Sequence, residues 1–233
     1  MFEIVMDGPG KNALGSEMMD FLLAKLAEAS GRPVLLTGKG DAFSAGLNLK
    51  EVASLDAPGM EAFLGKLEKL MAALFLYPGP TVALVNGHAI AGGGLLTLCC
   101  DHRIAVRNPK SKIGLNEVAL GLRFPPQVMG IVVHRTTAVA EVVLGAALHD
   151  PDSALRVGLV DEVADASDAR ALAEKRLAAL GNHPPWAYAT AKRDLREKAV
   201  AIDAEAHKKF FKDSIPAWTS PELKQMIAAV LSR

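Results

Sequence analysis

TVALVNGHAIAGGGLLTLCCD, residues 81–101, is the stretch on which the fold turns. Its first five residues, Thr81–Val85, are β-branched or aliphatic and predict a buried strand. Asn86-Gly87 follows as a turn. Gly92, Gly93 and Gly94 then precede Leu95, Leu96, Leu98 and Cys99 at helical spacing, which places three glycines where a loop becomes a helix. The first N–H groups of such a helix have no intrahelical acceptor and sit at the positive end of its dipole. A backbone without Cβ atoms also lets a ligand come close. That chemistry suits an anion, or an oxygen that becomes one. Three glycines serve equally to let a helix pack tightly against its neighbours, and the stretch alone leaves both readings open.

Working outward, the chain has 233 residues, half of them hydrophobic, enough for a sizeable core and against disorder. Lys plus Arg and Asp plus Glu both number 26, so no basic surplus argues for nucleic acid. Cys99 and Cys100 are adjacent in the apolar run and read as core fillers, in keeping with a reducing compartment. No leader pattern opens the sequence and no run of 18 apolar residues occurs, so the expectation is a soluble, cytoplasmic protein.

In chain order, Phe2–Met6 reads as a strand, and Ser16 as the N-cap of a helix carrying Met18, Leu22 and Leu26 that Gly31 ends. Residues 32–37 form a short buried strand and 38–45 a turn-rich loop. Residues 60–76 return to helical period, with Phe63, Leu67, Leu70 and Leu74 on one stripe. Strands alternating with helices point to an α/β fold with ligands at the carboxyl ends of strands. After the strand His102–Val106, helical text prevails at 138–148, 166–180, 184–196, 203–212 and 221–231. Thr219 and Glu222 form a capping box for the last of these. The division expected is a core over 1–165 and a helical region over 166–233.

Common motifs are absent. Gly38-Lys39-Gly40 lacks its third glycine, which falls on Phe43, and there is no Walker A sequence or GxSxG elbow. The six histidines show no ligand spacing, so no metal is expected.

FSAGLNLKEV (43–52), VNGHAIAGGG (85–94) and IGLNEVALGL (113–122) resemble, in order and spacing, the three signature segments of the crotonase, or enoyl-CoA hydratase/isomerase, superfamily. The resemblance implies a core of repeated ββα units and a C-terminal helical region. It implies acyl-CoA thioesters as substrates, with coenzyme A part of the substrate and no separate cofactor. Two main-chain N–H groups would stabilise an enolate oxygen; the family pattern places them at Leu47 and Gly92. Ala45, Gly46, Leu47, Asn48 and Leu49 would meet the adenine and pantetheine, and Lys11 and Lys50 are candidates for the phosphates.

Hydratases that resemble this chain use two glutamates. The first of these positions is Leu95 here, and no Asp or Glu lies anywhere between Val82 and Cys100. The second position is Glu117. The wording is most similar to the mitochondrial-type 3-enoyl-CoA to 2-enoyl-CoA isomerases, which work with one glutamate. Glu117 is then the proton shuttle, with a pKa expected to be raised by Leu95, Leu115 and Val118. The alternatives within the same resemblance are a hydratase, a thioester hydrolase or decarboxylase, and a non-catalytic acyl-CoA-binding or RNA-binding member. Trp186, Phe210, Phe211, Trp218, Leu223 and Ile227 are more apolar surface than a helical appendage should expose. With the resemblance, they point to a homotrimer or a dimer of trimers.

Overall fold

The computed structural model describes residues 1–232. β1 (Phe2–Met6) runs into a single turn, α1 (Pro9–Asn12), in which Gly10, Lys11 and Asn12 all have positive φ. The buried Asn12 side chain braces this left-handed turn by donating to the Lys39 and Ala42 carbonyls. α2 (Ser16–Ala29), β2 (Val34–Gly38), β3 (Ala42–Ser44), α3 (Leu49–Ser54), α4 (Ala57–Phe75), β4 (Thr81–Val85), β5 (His88–Ile90), α5 (Gly92–Cys99), β6 (His102–Val106) and β7 (Ile113–Gly114) follow. The remaining strand is β8 (Glu162–Ala164).

Two parallel sheets result. The larger has the order β1-β2-β4-β6-β8, and the smaller β3-β5-β7. Side chains on a strand alternate between faces, so a strand covered on both sides reads as continuously apolar. Ile4, Leu36, Ala83 and Ala105 point into the main core with Leu22 of α2, Leu70 of α4 and Leu96 of α5. Leu35, Val82, Leu84 and Ile104 point the other way, onto Ala169, Ala173 and Leu177 of α9 (Ala169–Gly181).

The later helices are α6 (Pro126–Arg135), α7 (Val139–Gly145), α8 (Pro151–Arg156), α10 (Pro185–Arg196), α11 (Ala204–Trp218) and α12 (Pro221–Leu231). α10 is tied down through Asp101, just past α5. Lys192 Nζ lies 2.6 Å from one carboxylate oxygen and Arg196 Nη1 2.9 Å from the other, and the Tyr188 hydroxyl donates at 2.8 Å.

Several sequence expectations are corrected. Ser16 is the first helical residue and Gly15 occupies the cap position; the Ser16 N–H is met by the Glu51 carboxylate from α3 instead. α2 ends one residue earlier, on Ser30 in the left-handed region. α4 begins at Ala57 because the Asp56 side chain accepts from Gly59 N–H. Ser220, followed by Pro221, caps α12; Thr219 turns back to the Ile215 carbonyl. Phe210, Phe211, Trp218, Leu223 and Ile227 are buried within the chain, and only Trp186 of the six is exposed. The amphipathic stripes of α11 and α12 fold onto the chain's own core, so those five residues do not argue for an oligomer. No helix among the described residues is long and apolar enough to cross a membrane.

Candidate active site

The three glycine-containing segments are the three strands of the small sheet together with the loops that leave them. β3 feeds 45–48, β5 feeds 91–94 and β7 feeds 115–117. Because the strands are parallel, all three loops leave from the same end, where open α/β sheets place ligands.

The glycine triplet is where they meet. A Cβ on Gly92 would lie 3.0 Å from Leu14 Cδ1 and 3.2 Å from Leu47 Cδ2. One on Gly93 would collide with the Ser44 carbonyl, and one on Gly94 would lie 3.1 Å from the Gly114 carbonyl oxygen. The packing reading holds for Gly93 and Gly94, which admit β3 and β7 against the helix; Gly92 opens it. As the first residue of α5, Gly92 has no intrahelical acceptor for its N–H.

The facing loop carries the other candidate N–H, that of Leu47. Gly46 has φ +92, and a Cβ there would sit 2.7 Å from the Ile90 carbonyl, so this approach needs glycine. Leu14 holds the loop in place: its N–H donates to the Gly46 carbonyl at 2.7 Å and its carbonyl accepts from Asn48 N–H at 3.0 Å. Ala45 N–H is bonded to Lys11 O and Gly46 N–H to Ser44 Oγ. The N–H groups of Leu47 and Gly92 have no acceptor among the described residues. Ala91 between the strand and α5 holds φ 48, ψ −117, a strained conformation for a residue with a side chain and the kind that concentrates at functional sites.

Glu117 follows β7 at the start of a short 3-10 turn (Val118–Leu120). It is 7% exposed, and its Oε2 has no hydrogen-bond partner among the described residues. Burial, only partly opposed by its own backbone N–H, pushes the carboxyl up to about 7. Leu95 and Leu115 are buried in the main core, and Val118 is 41% exposed. Next to Glu117, Asn116 Oδ1 is also buried without a partner among the described residues.

Of the substrate-contact candidates, Ala45, Leu47, Asn48 and Leu49 are half-buried and Gly46 is buried. Asn48 caps α3 through its side chain, which accepts from Glu51 N–H. Lys11 is engaged with Asp41 at 2.7 Å, whereas Lys50 is exposed. Sequence reading missed Leu14, whose role is carried by its backbone and leaves no pattern. It also missed Asn116, which stood in the third segment without a role. Among the described residues no group of three His, Cys, Asp or Glu side chains could hold a metal ion.

The family model for enoyl-CoA hydratase/isomerase matches residues 1–215. A Thermus thermophilus protein bearing an enoyl-CoA hydratase name is 34% identical over 183 residues, covering 72% of this chain and 71% of that protein. Mouse mitochondrial enoyl-CoA delta isomerase 1 is 38% identical over 141 residues, covering 58% of this chain and about half, 48%, of that protein. In three dimensions the chain is similar to human mitochondrial delta3-delta2-enoyl-CoA isomerase, with a TM-score of 0.91 at 25% identity, covering 100% of this chain and 93% of the other.

Proposed function

The chain belongs to the enoyl-CoA hydratase/isomerase family, and from that premise we propose that it moves the double bond of a 3-enoyl-CoA to the 2-position with Glu117 as its single proton shuttle. The observation that carries this reading is the pairing of one buried carboxylate, Glu117, with a buried leucine, Leu95, where hydratases resembling this chain have a second. The Glu117 carboxylate takes a proton from C2 of the thioester. The electron pair moves onto the carbonyl oxygen, giving a dienolate whose oxyanion accepts hydrogen bonds donated by the N–H groups of Leu47 and Gly92. Return of the proton to C4 forms the C2–C3 double bond and restores the carboxylate. A base near neutrality suits this exchange. Each preorganised donor contributes about 3 kcal/mol, and the dipole of α5 adds to the second. Residues 45–49 line the approach for coenzyme A, with the exposed Lys50 as a cation for its phosphates.

Hydration is the second reading. The unpartnered Asn116 Oδ1 beside Glu117 is an acceptor that could orient a water, and the Thermus thermophilus relative bears a hydratase name. The two separate optically, because isomerisation creates the conjugated thioester chromophore and hydration of 2-enoyl-CoA destroys it. A rate with 3-enoyl-CoA far above the hydration rate supports the proposal; the reverse order overturns it.

A further inference from the structure

The far end of α5 holds more positive charge than it needs. Arg135 of α6 donates from Nε to the Leu98 carbonyl at 3.1 Å, and from Nη2 to the Cys100 and Asp101 carbonyls at 2.9 and 3.1 Å. Arg196 of α10 donates to the Phe75 carbonyl at 2.8 Å and reaches the Cys99 carbonyl at 3.4 Å. Lys192 donates to the Tyr77 and Gly79 carbonyls. Counting Arg103, four cations face two carboxylates, Asp101 and the Asp161 that Arg103 holds, an excess of two positive charges. Lys192 and Arg196 are buried and Arg135 half-buried. Burial draws Arg135 down to about 10 and Lys192 to about 8, which leaves both cationic at neutral pH. The excess reaches His134, whose imidazole is held down first by burial and then by the Arg196 and Arg135 charges.

Buried charge without a counter-charge is costly, and capping the seven carbonyls that Arg135, Arg196 and Lys192 meet does not require two net charges. We propose that Arg135 and Arg196 are positioning residues for the oxyanion: they fix the C-terminus of α5 and project positive potential along it to the Gly92 N–H. This rests on the proposed function for where the oxyanion forms. All eight residues of α5 are buried, so little water intervenes. The helix is about 12 Å long at 1.5 Å per residue. At an effective dielectric constant of about 20, one charge at that distance favours a bound anion about tenfold.

Acetoacetyl-CoA is the probe, because its enolate absorbs in the near ultraviolet and its neutral form binds the same groups without the charge. With wild-type protein the bound ligand is expected largely as enolate. Arg135→Met should lower the enolate-to-neutral ratio about tenfold while total affinity changes less. Arg135→Lys keeps the charge and should restore the ratio to within about twofold of wild type. Circular dichroism verifies that each variant is folded, and if Arg135→Met does not fold, the ratio in Arg135→Lys decides alone. A folded Arg135→Met with the wild-type ratio, or a tenfold loss in Arg135→Lys, overturns the inference. Absence of any bound enolate in the wild type is a different failure, that of the oxyanion site itself.

Discussion

Glu117→Gln removes one ionisable group and almost no volume, so its consequences follow from the burial of that carboxyl. The group is held at about 7 against an ordinary 4.5. At 1.36 kcal/mol per pH unit, ionising it costs the native state about 3 kcal/mol. Between those two values the native chain binds a proton that the unfolded chain has released. Wild-type stability therefore falls as pH rises through about 4.5 to 7 and levels off above. Glutamine has no such dependence. In urea titrations the variant should exceed wild type by less than about 1 kcal/mol at pH 5 and by about 3 kcal/mol at pH 8. Turnover should move the opposite way, with kcat down at least about 100-fold and KM little changed, since a positioned base is lost but no binding surface. Wild-type kcat/KM should decline about tenfold per pH unit below 7. A stability difference that is the same at pH 5 and pH 8 would refute the desolvated carboxylate and, with it, the base assignment.

Three further outcomes follow from the site's packing and the exposed surface. Gly93→Ala drives a methyl group into the Ser44 carbonyl and separates β3 from α5; it should cost about 1–3 kcal/mol in urea and at least about tenfold in kcat, because the two proposed donors are Leu47, in the loop after β3, and Gly92, at the start of α5. Ala91→Gly relieves a strained φ of 48 worth about 1–3 kcal/mol against about 0.5–1 of added chain entropy, so it should stabilise the fold by about 1 kcal/mol, read as a higher urea midpoint. For assembly, Trp186 and Leu195 on α10, with Leu144 of α7, are more than 70% exposed. Light scattering should give three or six times the 24.6 kDa of one chain, and a single-chain mass rejects the trimer.

Legibility followed the length of the pattern. The five-residue strands of the large sheet and the long helices α2 and α4 announce themselves, because five buried positions or four turns of stripe suffice to show a period. The small sheet does not. β3, β5 and β7 have three, three and two residues, too few for alternation, and 86–91 reads as turn and loop although His88–Ile90 pairs on both sides. Those strands nevertheless lead into the candidate site, whose residues are legible through resemblance of three separated segments and not through periodicity. α6 and α8 were missed for a related reason: both open on prolines that read as breaks but occupy first-turn positions. The network of Asp101, Lys192 and Arg196 was invisible because its members lie about 90 residues apart and each reads alone as a solvated charge.

The central claim is that one carboxylate carries the proton from C2 to C4, and 3-enoyl-CoA deuterated at C2, turned over in ordinary water, tests it most directly. The account predicts 2-enoyl-CoA as product, with deuterium at C4 in a measurable share of molecules by mass spectrometry, and no such product from Glu117→Gln. A 3-hydroxyacyl-CoA as the main product, or 2-enoyl-CoA whose C4 never carries the label, would contradict it.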